Sequence, residues 1–114
     1  MKIRRLSDAE FKVMKLIWGI APPIKTNNII SELNSDHSTI EKEWSPSTIQ
    51  TLITRLIEKG FIKAVKNGKD RIFTYTVSED DYISYETKAF LKKYHNNSLD
   101  SFFAKLYSSD ENSK

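Results

Sequence analysis

Six polar side chains between Trp44 and Gly60 have the types and the spacing to form hydrogen bonds with a nucleic acid. They lie in the run W-S-P-S-T-I-Q-T-L-I-T-R-L-I-E-K-G, where about 100° per residue places them on one side of a helix. The six are Ser47, Thr48, Gln50, Thr51, Thr54 and Arg55. Short hydroxyls, one amide and one guanidinium suit close approach to a groove in which base edges and phosphates are hydrogen-bonded. The alternative is a capped surface helix without a ligand.

The opposite side of the same segment is apolar and must face a core. Its residues follow the spacing i, i+3, i+4, i+7, i+8 of a single buried stripe: Ile49, Leu52, Ile53, Leu56 and Ile57. Ser45 stands where an N-cap belongs, Pro46 occupies the first helical position, and Gly60 closes the segment. The sequence therefore predicts an amphipathic helix that holds the six polar residues outward.

The sequence of 114 residues contains few of the residue patterns that are typical of catalytic or metal-binding sites. It has no Cys, which excludes disulfides, thiolate zinc sites and cysteine nucleophiles. His37 and His95 stand far apart in polar surroundings and are predicted to be surface residues. Glu41, Glu43 and residues 79–81 are interpreted as solvated faces or helix starts, and no Gly-rich phosphate loop or Ser/His/Asp set is present. The sequence predicts neither an enzyme, nor a cofactor, nor a metal site.

Composition limits the architecture to one domain with an appended segment. An apolar content of 39% in 114 residues can form one modest core. The chain has no apolar run near the length of a membrane span and no signal-peptide pattern, so a cytoplasmic protein without a membrane partner is expected. Residues 1–77 contain 13 Lys and Arg against 8 Asp and Glu, whereas residues 78–114 contain 5 against 7. The basic character therefore belongs to the first part, where it is consistent with nucleic-acid binding.

Two further helices are predicted before the polar helix. The capping box Ser7-Asp8-Ala9-Glu10 starts the first, which runs to about Trp18. Its inward residues are Phe11, Met14, Ile17 and Trp18. Thr26 can cap a short second helix with Ile29, Ile30 and Leu33 inward. Residues 34–43 form a polar connection, so the second and third helices can make a helix-turn-helix.

A β-hairpin is predicted after Gly60. Residues 61–66 and 71–77 are rich in β-forming side chains, and Asn67-Gly68-Lys69-Asp70 between them is a hairpin signal because Asn-Gly supplies positive φ. Three helices followed by a hairpin indicate a winged helix. Lys66, Lys69 and Arg71 are the candidate phosphate contacts of the wing, together with Lys63. Alternatively, these charges merely protect an edge strand.

Residues 78–114 are predicted to form a helical dimerisation region. Ser78-Glu79-Asp80-Asp81 is a capping box for a helix that ends near His95, residues 96–98 interrupt it, and a short last helix precedes a polar, frayed stretch at 108–114. The candidate interface residues are Tyr82, Tyr85, Leu99, Phe102, Phe103, Leu106 and Tyr107. Two amphipathic helices that follow a complete small domain have apolar faces that must be buried against another surface. A second copy of the chain is expected to provide that surface. The predicted fold is mainly α with a small hairpin, as a winged-helix domain at 1–77 and a helical arm at 78–114.

The motifs W-S-P-x-T-I-x-T-L-I-x-R-L, K-G-F-I and S-D-A-E-F-x-V-M-x-L-I-W together resemble the penicillinase repressor family, which includes the β-lactamase and methicillin-resistance repressors. The likeness covers about nine-tenths of the chain. It implies a repressor that binds a palindromic operator duplex as a homodimer and controls β-lactamase-type genes. A copper-responsive branch of the family uses C-terminal cysteines, which this chain lacks. A protein-protein interaction module, or a family regulator of an unrelated regulon, remains the alternative.

The resemblance implies that the six polar residues contact operator DNA, but two of them depart from the family pattern. Lys is common at the position of Ser47, and Arg or Lys at that of Gln50, so two cationic contacts are absent. The resemblance also implies a regulatory protease that cuts an Asn-Phe bond, which alignment places at Lys105-Leu106. Because that Asn is absent and the arm looks short, we expect a weaker dimer and an operator occupancy that depends on concentration.

Overall fold

The computed structural model describes residues 2–35 and 44–112. The elements follow in the order α1 (Asp8–Gly19), α2 (Thr26–Ser35), α3 (Pro46–Glu58), β1 (Ile62–Asn67), β2 (Asp70–Tyr75), α4 (Glu79–His95) and α5 (Leu99–Asn112). The five helices and one antiparallel hairpin of the described residues confirm the predicted fold class. His37, Glu41 and Glu43, with the rest of the predicted connection beyond residue 35, lie outside the described residues.

A reciprocal capping box starts α1. The Ser7 amide donates to Glu10 Oε1 at 2.9 Å, and the Glu10 amide donates to Ser7 Oγ at 3.2 Å, which satisfies two amides at the helix start. The buried side includes Val13, which the sequence prediction omitted, between the edges formed by half-buried Phe11 and Trp18. Trp18 Nε1 donates to the Val77 carbonyl at 2.9 Å and so joins α1 to the residue that follows the hairpin.

The second helix differs from its prediction at both ends. Thr26, the predicted cap, is already helical, and the side-chain bond at this end runs from the Lys25 amide to Asn28 Oδ1 at 3.0 Å. The helix also continues to Ser35, into the predicted connection. Just before it, the Phe73 amide donates to the Ile24 carbonyl at 2.8 Å, an isolated bridge that attaches this segment to the hairpin.

The core lies between α1, α2, α3 and the hairpin. The stripe predicted for α3 is buried at Ile49, Leu52, Ile53 and Leu56, and only Ile57 is partly exposed. Phe61 and Phe73 are the largest side chains buried with them. Because each such side chain stabilises the fold by roughly 1.5–3 kcal/mol, this core determines how α3 is oriented.

The hairpin has a two-residue turn. Asn67 pairs with Asp70, which leaves Gly68 and Lys69 as the central residues. Gly68 has φ of 66°, and positive φ at the first central position is the requirement of a type II′ turn. The positive φ predicted for Asn-Gly is thus supplied by Gly68, while Asn67 ends β1 in regular pairing with Asp70.

The chain divides into two compact units, Met1–Glu79 and Asp80–Lys114. In the second, α4 ends before Asn96 and Asn97, whose φ values of 51° and 63° are left-handed. Ser98 Oγ accepts from the Ser101 amide at 3.1 Å at the start of α5. The last helix, α5, continues to Asn112 and so includes most of the polar stretch at 108–114, whose run S-S-D-E-N contains no Gly or Pro to end it.

Candidate nucleic-acid interface

The polar side of α3 begins at a well-defined helix start. Ser45 is the N-cap, as predicted, and its Oγ accepts from the Thr48 amide at 3.2 Å. The same oxygen lies 3.1 Å from Ser47 Oγ and 3.0 Å from Thr48 Oγ1. Pro46 follows at the first helical position, where no amide is needed. These contacts determine where the first turn of α3 presents its side chains.

All six predicted DNA contacts of α3 are solvent-exposed, and we call them the reading face: Ser47, Thr48, Gln50, Thr51, Thr54 and Arg55. Two of the threonines bond back to their own helix. Thr51 Oγ1 donates to the Ser47 carbonyl, and Thr54 Oγ1 donates to the Gln50 carbonyl, both at 3.0 Å. Each hydroxyl has a single proton, so both threonines turn only acceptor lone pairs and a methyl group outward.

The two longest side chains of the reading face are unpartnered among residues 2–35 and 44–112. There, the Arg55 guanidinium pairs with no carboxylate, and the Gln50 side-chain amide has no hydrogen-bond partner. Arg55 and Glu58 are the charged residues of α3, so the helix has no net charge. Its outer surface therefore offers hydrogen-bonding groups more than electrostatic attraction.

Positive charge is concentrated on the wing, defined as residues 62–75. Lys66 lies opposite Arg71 in the register of the hairpin, and Lys69 lies in the turn. All three side chains are exposed. The acidic residue beside them, Asp70, is paired with Lys25, whose Nζ is 3.0 Å from Asp70 Oδ2. Because this pair offsets the carboxylate, the tip presents mainly positive charge, as a surface that contacts phosphates requires.

Hydrogen bonds join the end of α3 to the residues that precede and follow the wing. Gly60, with φ of 79°, lets the chain turn, and the Phe61 amide then donates to the Leu56 carbonyl at 2.9 Å. The Thr76 amide donates to the Phe61 carbonyl at 2.7 Å, and Thr76 Oγ1 donates to the Gly60 carbonyl. These bonds hold the reading face and the wing in one arrangement.

A buried ion pair beneath α3 was missed by sequence reasoning, which assigned Glu10 only to the capping box. Glu10 is 3% exposed, and its Oε1 lies 2.5 Å from Lys59 Nζ, which also donates to the Arg5 carbonyl at 2.9 Å. Burial acts to raise the pKa of Glu10, but the hydrogen bonds from Lys59 and Ser7 and the Lys59 charge outweigh it, so this pKa lies below its ordinary value. The pair joins the start of α1 to the end of α3.

The predicted dimer residues differ in how much surface they offer. Leu99, Phe103, Leu106 and Tyr107 are exposed, with Phe90 and Tyr94 exposed as well. Phe102 and Tyr85 are half-buried. Tyr82 is only 3% exposed, so little of it remains for a partner subunit.

His95, predicted to lie on the surface, is instead half-buried. Its ring centroid is 5.4 Å from that of Phe90 and 5.6 Å from that of Phe102, and its Nδ1 lies 3.0 Å from Ser101 Oγ. It therefore packs at the corner between α4 and α5. Within the described parts of the chain, no cluster of His, Cys, Asp or Glu could hold a metal ion, and no helix could cross a membrane.

Three helices, a charged hairpin and an exposed polar face on the capped third helix define a winged-helix DNA-binding protein. The chain is similar to the solution structure of the monomeric form of Bacillus licheniformis BlaI in complex with the blaP half-operator, with 43% identity and a TM-score of 0.57. That match covers 71% of this chain and 92% of the other. The sequence profile of the penicillinase repressor family matches residues 6–114, and the chain belongs to this family.

Two relatives show the extent of the similarity. The penicillinase repressor of Bacillus licheniformis is 38% identical over 110 residues, which are 96% of this chain and 81% of the relative. The methicillin resistance regulatory protein MecI of Staphylococcus aureus strain N315 is 41% identical over 102 residues, 88% of this chain and 76% of the relative. The protein is thus a DNA-binding transcriptional repressor, and its family is one of repressors and not of enzymes.

Proposed function

We propose that this repressor controls β-lactamase or related antibiotic-response genes, and that it binds a palindromic operator duplex as a cytoplasmic homodimer. The names of its relatives, penicillinase repressor and methicillin resistance regulatory protein, support the class of genes. The observation that carries DNA binding is the reading face, a row of exposed polar side chains on a capped helix that is bonded to a basic wing.

In the proposed complex, α3 enters the major groove with its N-terminal residues toward the bases. Thr48, Gln50 and Thr51 lie in that part of the helix and contact base edges, while Arg55 contacts a base or phosphate. Lys66, Lys69 and Arg71 of the wing contact the phosphate backbone, which positions α3 without reading sequence.

The proposed dimer is two-fold and is held by the exposed apolar residues of α4 and α5. A two-fold axis presents the two α3 helices to half-sites about 34–36 Å apart, one helical turn of DNA. The exposed side chains Phe103, Leu106 and Tyr107 lie along α5 and supply apolar surface for such an interface. Since two subunits must meet before both half-sites are filled, operator occupancy depends on protein concentration.

Release from DNA is proposed to follow dimer dissociation and not a specific cut at Lys105-Leu106. Both residues lie inside α5, so a protease would need this helix to unfold locally before the bond could enter its active site. Mass spectrometry of the protein from cells treated with a β-lactam tests this proposal. A clean cut between Lys105 and Leu106 that accompanies induction would overturn it and make a regulatory protease a partner.

Footprinting across the promoter of the protein's own gene, and across β-lactamase promoters of the same genome, tests the function. The expected result is protection of two inverted half-sites, which the Arg55→Ala variant gives only at higher protein concentration. Protection at genes of another kind would point to an unrelated regulon. Absence of protection at every promoter, with a folded protein, would contradict the proposed operator binding.

A further inference from the structure

The hydrogen bonds of α3 restrict which bases the reading face can accept. The hydroxyl groups of Thr51 and Thr54 already donate hydrogen bonds to the carbonyls of Ser47 and Gln50. Toward DNA the two threonines offer lone pairs and methyl groups. In the major groove, guanine presents only acceptors at N7 and O6, whereas adenine presents a donor at N6, cytosine a donor at N4 and thymine a methyl group. The centre of the reading face therefore fits adenine, cytosine or thymine better than guanine.

Gln50 adds the one exposed amide of this surface. Its side chain lies one helical turn before Thr54 and has no hydrogen-bond partner in the described part of the chain. An amide carries a donor nitrogen and an acceptor oxygen side by side, which matches N7 and N6 of adenine in a bidentate pair. Guanine presents acceptors at both N7 and O6, so a bidentate contact to it requires two donor atoms. The amide oxygen is an acceptor and cannot serve as one of them.

We propose that Gln50 determines operator specificity by reading an adenine in each half-site, with Thr51 and Thr54 disfavouring guanine beside it. This inference rests on the proposed operator binding. It assigns the base that this position prefers, and it predicts that the operator differs at one base pair from that of a repressor with Arg at the same position, since Arg reads guanine.

Selection of bound sequences from a duplex library with a randomised core tests the proposal, using the full chain. Three proteins are compared: the wild type, Gln50→Arg, and Gln50→Met, which has a similar length but neither the donor nor the acceptor of an amide. Gln50 is exposed, so all three are expected to fold alike. One position in each half-site should be adenine for the wild type, guanine for Gln50→Arg, and without preference for Gln50→Met.

Binding to defined duplexes then measures the contact. Replacing the selected adenine by guanine should weaken the wild type about 5- to 150-fold, the range of a bidentate base contact, and should leave Gln50→Met within about twofold. A 7-deaza-adenine at that position, which lacks the N7 acceptor, should weaken the wild type but not Gln50→Met.

The outcomes separate this inference from the function on which it rests. A wild type that selects a clear motif, with the same base preferences in both variants, would overturn the role of Gln50 and leave operator binding intact. A wild type that selects no motif at all would overturn both. Equal affinity for adenine and 7-deaza-adenine would show that the amide does not bond to N7, and would reject the bidentate contact.

Discussion

Arg55 is the only cation of α3, and no carboxylate in the described residues competes for it. We expect Arg55→Ala to weaken operator binding by about 1–3 kcal/mol, because a guanidinium contact to a base or phosphate is lost. Fluorescence anisotropy with an operator duplex measures the change. Lys92→Ala on α4 removes an exposed cation that lies outside the proposed DNA contacts, and this variant is the control. Unchanged affinity in a folded Arg55→Ala protein would exclude α3 as the helix that reads the operator.

The ion pair between Glu10 and Lys59 governs stability and not recognition. Lys59→Met leaves the Glu10 carboxylate buried without its partner, so we expect a loss of about 3–5 kcal/mol in the free energy of unfolding. Lys15→Met breaks the exposed pair with Glu79 and should cost less than about 1 kcal/mol. Urea unfolding of both variants measures the two losses of unfolding free energy. Equal losses would show that burial of Glu10 does not affect stability.

The lowered pKa of Glu10 gives the stability a defined dependence on pH. A carboxyl group whose pKa is lower in the folded state stabilises the fold above its unfolded pKa, and this contribution disappears as the pH falls through the folded pKa. Between pH 7 and pH 3 the wild type should therefore lose more stability than Glu10→Gln, which has no proton to bind there. Unfolding free energies at several pH values measure the difference, and parallel curves would contradict it.

At the scale of elements, the wing supplies charge while α3 supplies hydrogen bonds. Because each neutralised phosphate contributes a slope of about −0.9 to the dependence of log K on log salt concentration, Lys69→Gln should reduce the magnitude of that slope by nearly one. Sequence preference should be unchanged, since phosphate contacts carry no base information. Binding measured from low to high salt tests this, with Lys88→Gln on α4 as the control. An unaltered slope would remove Lys69 from the DNA contacts.

Elements that depend on neighbouring residues were predictable from the sequence. The cap at Ser45, Pro46 after it and the apolar stripe of α3 are local signals, and the helix starts where they predict. Features that depend on contacts distant in sequence were not predictable. The pairing of Ile24 with Phe73 and of Glu10 with Lys59 joins segments far apart in the chain, and no local pattern distinguishes these residues from their neighbours.

The reading face shows the same division. Helical spacing predicted that its six residues share a side, and the structure has all of them exposed on α3. The sequence could not show that the hydroxyl protons of Thr51 and Thr54 are already used within the helix. That fact depends on side-chain rotamers, which composition and periodicity do not determine.

At the scale of the whole molecule, dimerisation is expected to control DNA affinity. Phe103 and Leu106 are large exposed apolar side chains on α5. Phe103→Glu should remove a buried apolar contact that stabilises the dimer by about 1.5–3 kcal/mol. Sedimentation should then show a shift toward monomer, and binding to the full operator should weaken. Its affinity for an isolated half-site is the control and should not change. A wild type that is monomeric at tens of micromolar would refute this arrangement.

The hydrogen bonds on both sides of Gly60 join α3 to the wing, so the two surfaces meet the duplex at a set separation. DNA whose groove dimensions do not match that separation must bend or twist to reach both. Base-pair steps differ in the energy that such a deformation requires, and TA or CA steps yield more easily than stiff A-tracts. Base pairs that no side chain touches are therefore expected to affect affinity, because the protein selects for the mechanical compliance of its operator as well as for its bases.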